Sequence, residues 1–285
     1  AQSFRTGNHA MNTTLLLQLS DLHIREPGRL AYGRIHTAPY LSRAVESIAR
    51  LRQRPDAVVI TGDLTDFGRA TEYDHLRALL SPLHMPVYLL PGNHDDRAQL
   101  RASFDDHGYL GATGFVQYCV AIGSLQLIAL DTVVPGASEG ALCTERLAWL
   151  ATELEKTKHQ PVVIAMHHPP FKTLIGHMDA IGLLHGAPEL EALVAKYPNV
   201  ERVICGHLHR SIQVRFGGSI AATIPAPGHQ VTLDLAPDAA STWMLEPPGF
   251  AIHALPAGGR LISHLVASGQ FDGPYPFHEG GQLID

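Results

Sequence analysis

Five short polar clusters, each closing an apolar run, carry the side chains that could do chemistry together: Asp21-Leu22-His23, Gly62-Asp63, Gly92-Asn93-His94-Asp95, His167-His168 and Gly206-His207-Leu208-His209. Each offers carboxylate or amide oxygen or imidazole nitrogen, and none offers thiolate. That is the donor set that holds Mn, Fe, Co or Zn for hydrolysis. Residues i and i+2 of a strand share a face, so Asp21 with His23, and His207 with His209, are each expected to present two donors on one side of an extended segment. Two divalent ions about 3.5–4 Å apart need a bridging carboxylate and several donors on either side. Asp21, His23, Asp63, Asn93, His167, His207 and His209 supply seven donors, with one acid left to bridge. The pattern predicts a two-metal hydrolase.

Donors spread from Asp21 to His209 can meet only if the elements carrying them end along one edge. The runs 15–20, 57–61, 87–90, 125–130, 162–166 and 203–205 are short and apolar, as buried strands are. Between them Leu41, Val45, Ile48 and Leu51 follow helical spacing, as do Leu147, Leu150 and Leu154 behind Thr144 as N-cap, and a short helix is expected around Glu191, Leu193 and Val194. Strand and helix alternate, so the class is α/β, with helices flanking sheet. In open α/β sheets ligands bind beyond the carboxyl ends of the strands, which is where the clusters fall. After His209 the runs 213–216, 250–255 and 261–266 predict strands, with a hairpin turn at Gly258-Gly259.

The 285 residues, 45% apolar and 17% charged, can bury a large core as one sizeable domain or as one domain with an appendage. A net charge of −6 gives no general basic field, so neither a nucleic acid polymer nor an anionic membrane is an expected partner. An anionic substrate would need local positive charge, which metal ions supply. Cys119, Cys143 and Cys205 show no paired spacing and predict free thiols in a reducing cytoplasm. The apolar stretch at Leu15 is too short to span a bilayer, no signal peptide of ordinary shape is read, and residues 1–10 ahead of Met11 read as an extraneous leader.

In this order the motifs D-x-H, G-D, G-N-H-D, H and G-H-x-H resemble the calcineurin-like metallophosphoesterase superfamily, over residues 15 to 210. The phrases Pro91-Gly92-Asn93-His94-Asp95-Asp96 and Met166-His167-His168-Pro169-Pro170, with a later His229-Gln230, are similar to the bacterial cyclic nucleotide phosphodiesterase and glycerophosphodiesterase branch. The resemblance implies a four-layer αββα sandwich of two mixed sheets flanked by helices. It implies a catalytic domain at 11–232 and a C-terminal β-rich extension at 233–285, through which members often form homo-oligomers. One metal would lie on Asp21, His23, Asp63 and His209 and the other on Asp63, Asn93, His167 and His207. Asp63 would bridge, and Asn93 offers a neutral oxygen with which substrate can compete. The implied activity is hydrolysis of a small phosphodiester, a 3',5'-cyclic nucleotide or a glycerophosphodiester, by in-line attack of a metal-bound hydroxide.

The implied catalytic residues are Asp63, Asn93 and His94, and the implied substrate contacts are Asn93, His94, His229 and Tyr32. His94 is expected to protonate the leaving alkoxide, against an orienting role as the alternative. Asp66 is read as an orienting acceptor, and His168, held ahead of two prolines, as pointing away from the ions. Where the protein-phosphatase branch follows G-D-x-x-D with Arg, this chain has Phe67, which cannot grip phosphate, so a monoanionic diester fits better than a monoester. The alternatives are a phosphomonoesterase or nucleotide phosphatase and, from another class, a noncatalytic scaffold of the same fold.

Overall fold

Strands that are apolar at every position need cover on both faces. Ala57–Thr61 and Val162–Met166 are buried throughout, and the fold meets the need by stacking two sheets between two layers of helix. This computed structural model describes residues 13–284, so the leader expected at 1–10 lies outside the described residues. Along the chain run β1 (Thr13–Leu19), α1 (Ala38–Ala49), β2 (Ala57–Thr61), α2 (Ala70–Leu80), β3 (Val87–Leu90), α3 (Arg97–Ser103), β4 (Tyr118–Ile122) and β5 (Leu125–Leu130). There follow β6 (Gly140–Ala141), α4 (Thr144–Lys156), β7 (Val162–Met166), α5 (Gly176–Asp179), β8 (Leu183–His185), α6 (Ala187–Val194) and β9 (Val200–Cys205). The rest of the regular structure is strand: β10 (Ile212–Phe216), β11 (Ser219–Thr223), β12 (Gln230–Val231), β13 (Trp243–Met244), β14 (Gly249–Pro256), β15 (Ile262–Ala267), β16 (His278–Glu279) and β17 (Gln282–Leu283).

The first sheet has the order β15-β14-β1-β2-β3 and the second β10-β11-β9-β7-β5-β4. β1, β2 and β3 run parallel, as do β5, β7, β9 and β11, so their carboxyl ends line one edge of each sheet. α1 and α2 pack Leu41, Val45, Ile48, Tyr73 and Leu76 against the first sheet. α4 and α6 pack Leu150, Leu154, Leu190 and Val194 against the second. The architecture is the expected four-layer sandwich. No helix among the described residues is long and apolar enough to cross a membrane.

Between the sheets a buried polar hub ties five strands together. Gln18 of β1 donates to Thr61 Oγ1 of β2 and to the Cys205 carbonyl of β9, both at 3.0 Å. Its Oε1 accepts from His253 Nε2 of β14 at 3.1 Å, and His253 Nδ1 accepts from Ser263 Oγ at 2.7 Å. Burial, with the charge of Arg202 adding to it, pushes His253 down to about 3. The ring is therefore neutral, with one donor and one acceptor, and the hub uses both.

The six runs expected as strands form β1, β2, β3, β5, β7 and β9. Cys143, not Thr144, is at the N-cap of α4, and Thr144 is the first helical residue. α2 is an element the sequence reading does not include, although its buried Tyr73, Leu76 and Leu80 follow helical spacing. The turn at Gly258-Gly259 forms as expected, with Gly259 N donating to Pro256 O at 2.9 Å. The hairpin it closes enters the first sheet, β14 pairing antiparallel with β1 across a separation of more than two hundred residues. Phe250 of β14 is fully buried in the core that also holds Leu16 and Ile60. Phe250→Ala should therefore lower unfolding free energy by about 3–5 kcal/mol in urea titration, whereas a loss under about 1 kcal/mol would mean the hairpin is peripheral to the fold.

Candidate active site

Five of the seven donors lie past strand ends with left-handed backbone: φ is +55° at Asp21, +45° at His23, +48° at Asp63, +72° at His207 and +50° at His209. This corrects the expectation that Asp21 with His23, and His207 with His209, share one side of an extended segment. A continuing strand would carry its side chains along the sheet faces. Left-handed residues instead turn the chain over the sheet edge, at a cost of about 1–2 kcal/mol each. Loop pairing holds them there: Asp21 N donates to Gly62 O and His23 N to Asp63 O, both at 3.0 Å, and Ile24 N to Leu64 O at 3.2 Å. A Cβ at Gly92 would stand 2.2 Å from Asp63 Oδ1, so only glycine lets the two loops meet.

The donors form two groups that share one carboxylate. In the first, His23 Nε2 lies 3.3 Å from His209 Nε2 and 3.6 Å from Asp63 Oδ2, and His209 Nε2 lies 3.5 Å from Asp21 Oδ1. In the second, His167 Nε2 lies 3.4 Å from Asp63 Oδ2, 3.1 Å from Asn93 Oδ1 and 3.3 Å from His207 Nδ1. The far nitrogens of three of the four rings are committed. His209 Nδ1 donates to the His229 carbonyl at 2.9 Å, His167 Nδ1 to the Thr61 carbonyl at 2.8 Å, and His23 Nδ1 to Asp66 Oδ1 at 3.2 Å. Each neutral ring thus turns a lone pair inward toward other acceptors, an arrangement that only a proton or a metal cation can reconcile. All seven residues fit such a cation by type, burial and direction.

The electrostatics point the same way. Burial opposes protonation of His167, yet the carboxylates of Asp63 and Asp21 hold it up to about 9. His23 is also buried, and Asp66, Asp63 and Asp21 together raise it. Burial likewise opposes ionisation of Asp63, but the imidazoles of His167, His94 and His23 keep its carboxyl well below the usual range. His207 and His209 are pushed down, chiefly by burial. The ionised Asp63 carboxylate in an apolar sandwich demands positive charge, and without an ion the imidazoles supply it.

The surrounding residues divide by what they touch. His94 N donates to Asp63 Oδ1 at 3.0 Å, and its Nδ1 donates to the Asp66 carbonyl at 2.8 Å, which leaves Nε2 as the free ring nitrogen. Asp66 is the acceptor that orients His23. His168 Nδ1 accepts from Thr132 Oγ1 at 2.8 Å and its Nε2 donates to the Ser138 carbonyl at 3.1 Å; burial pushes it down to about 3, so it is a neutral strut. Tyr32, Asn93, His94 and His229 all line one cavity of about 240 Å3 above the donors. His177 reaches the same cavity, and His36 and His185 do not.

Two contributions escape the sequence reading. Asp95 accepts from the amides of Gly92, Leu64 and Thr65 and from the Tyr73 hydroxyl, all between 2.9 and 3.1 Å, and so clamps the Asp63 loop to the Asn93 loop. Trp243 in β13 packs its ring 5.3 Å from His229 and 5.8 Å from Tyr32, making an aromatic wall. The clustering of Asp95 with Gly92 and Asn93 was a signal for the first, whereas no spacing signals the second.

Because Asp63 faces both groups, Asp63→Ala should remove metal from both positions and cut turnover by several orders of magnitude. Metal content by plasma mass spectrometry that stays at the wild-type value, with normal turnover, would show that Asp63 is not shared.

The profile of the calcineurin-like phosphoesterase family matches residues 14–211. The chain is similar to the probable glycerophosphodiester phosphodiesterase GpdQ of Arcobacter nitrofigilis, 36% identical over 272 residues that cover 95% of this chain and 100% of that protein. It is also similar to the 3',5'-cyclic adenosine monophosphate phosphodiesterase CpdA of Pseudomonas aeruginosa, 30% identical over 206 residues, 72% of this chain and 73% of that one. Purple acid phosphatase PPD1 from yellow lupin seeds superposes with a TM-score of 0.67 at 16% identity, over 96% of this chain and 53% of that longer one, a likeness of fold alone. The matched span begins in β1 and ends just past His209, enclosing all seven donors, and the chain belongs to the calcineurin-like phosphoesterase family.

Proposed function

We propose that the protein is a metal-dependent phosphodiesterase acting on small diesters, cyclic nucleotides or glycerophosphodiesters, at a centre of two divalent ions. The observation that carries this is the shared carboxylate: Asp63 Oδ2 lies within 3.6 Å of imidazole nitrogens from both donor groups. Asp21, His23, Asp63 and His209 would hold one ion, and Asp63, Asn93, His167 and His207 the other. The donor set accepts Fe, Mn, Zn or Co. Such ions supply the positive charge that draws phosphoryl oxygens and lowers the pKa of water. The names of the two relatives support the diester class.

The rest of the cavity favours a monoanion. Among the described residues its wall contains no Arg or Lys. Phe67 turns outward, 57% exposed, with Arg25 4.5 Å and Arg69 4.9 Å from its ring centre. Those guanidiniums are already paired with Glu26. A dianionic monoester would find no fixed cation beyond the ions, whereas a diester needs none. At one pH and with one metal, kcat/KM for bis(p-nitrophenyl) phosphate should exceed that for p-nitrophenyl phosphate. The reverse order would favour a phosphomonoesterase, and no turnover of either by metal-loaded protein would favour a noncatalytic scaffold.

His94 stands beside Asp63 with Nδ1 fixed and Nε2 free, so a proton on Nε2 can be handed to a departing alkoxide. His94→Ala should slow diesters of poor leaving groups, ribose or glycerol, far more than p-nitrophenyl esters, measured at saturating metal. Equal losses for both would reduce His94 to an orienting role.

The edge strand β15 leaves Ile262 and Leu265 half exposed, and Phe271, Tyr275 and Phe277 beyond it are exposed. Apolar surface at a sheet edge calls for cover, and we assign it to a second copy of the chain. Light scattering at micromolar concentration should report at least a dimer; monomer alone would refute this.

A further inference from the structure

A cleft of about 550 Å3 lies apart from the strand ends that carry the donors, where the turn between β14 and β15 faces β9, β10 and β11. Arg215 of β10 pairs with Ile220 of β11. One step back from the Ala221–Val203 pair, Ile220 stands beside Arg202 of β9. Cross-strand neighbours share a face, so Arg202 and Arg215 flank Ile220 on one side of the second sheet. Two strand spacings put their Cα atoms about 10 Å apart. Arg260 and Leu261 close the cleft from the hairpin of the first sheet.

The charges do not balance. Among the described residues Glu201 is the only carboxylate in the lining, and it is already used: Arg260 reaches its Oε1 at 3.4 Å and Leu261 N donates to its Oε2 at 3.1 Å. Arg202 Nε is buried with no hydrogen-bond partner among the described residues. Burial lowers the Arg202 pKa, and the charge of neighbouring Glu201 offsets this only in part. Two arginines on one face with an apolar residue between them suit an anion carried on an apolar or planar body. Guanidinium forks grip phosphate through paired hydrogen bonds, and Ile220 and Leu261 offer the remaining contact.

We propose that this cleft is a second ligand site, which binds an organic phosphate of nucleotide size between Arg202 and Arg215. The binding is separate from hydrolysis and does not depend on which diester the active site takes. AMP is the probe, titrated by calorimetry into metal-loaded protein. Arg202→Gln combined with Arg215→Gln should lose one equivalent of AMP per chain, or weaken it by about tenfold or more. Turnover of bis(p-nitrophenyl) phosphate should be unchanged. Ile220→Glu, at a surface-accessible position, places a carboxylate between the guanidiniums and should remove the same equivalent, which guards against misfolding of the double variant. AMP should also bind there more tightly than inorganic phosphate titrated in parallel. Wild-type AMP stoichiometry and affinity in both variants would overturn the proposal. So would equal affinity for phosphate and AMP, or an altered subunit count with AMP binding intact, which would mark the face as a contact between copies of the chain.

Discussion

Along the edge where the parallel strands end, the two sheets are joined by the same groups that form the candidate metal centre, and the geometry of the site depends on that seam. Asp21, at the end of β1 in the first sheet, accepts from His207 N, past β9 in the second, through both carboxylate oxygens at 2.8 and 3.1 Å. His167, past β7, donates back to the Thr61 carbonyl of β2 at 2.8 Å. Carboxyl groups at this depth are tolerable only when fully partnered, and removing one partner leaves a buried polar group unanswered. The seam therefore fixes how the sheets stack, and the stacking in turn fixes the inward lone pairs. Cation binding and fold stability are linked here, because an ion that binds only the folded chain stabilises it.

Local preference and tertiary demand disagree most at this seam. Apart from Tyr32 and Leu174, every non-glycine residue with positive φ among the described residues is one of the seven donors. The strain gathers where side chains must leave the plane of a strand and converge, and Asp95 and the paired loops hold it. Such conflicts gather at functional sites in a well-packed chain. The cavity above them then divides by chemistry. The candidate cation ligands line its floor, and Tyr32, His229 and Trp243 form an aromatic wall.

The sequence by itself determined the strands and the donors, and for one reason. A buried parallel strand must be a continuous apolar run, and a polar cluster closing such a run can sit only at the sheet edge. β2, β3, β5 and β7 therefore stand at the expected positions, and Asp21, His23, Asp63, Asn93, His167, His207 and His209 meet at one edge. Tertiary structure alone decided the rest. The left-handed turns at Asp21 and His207 replace the extended geometry that alternation suggests, because convergence outweighs local preference. Trp243 enters the wall, Phe250 enters the core, and Arg202 Nε is buried without a hydrogen-bond partner among the described residues, through contacts between segments far apart in the chain. Periodicity and spacing report only on near neighbours, so contacts made by closing a long loop leave no mark that either could reveal.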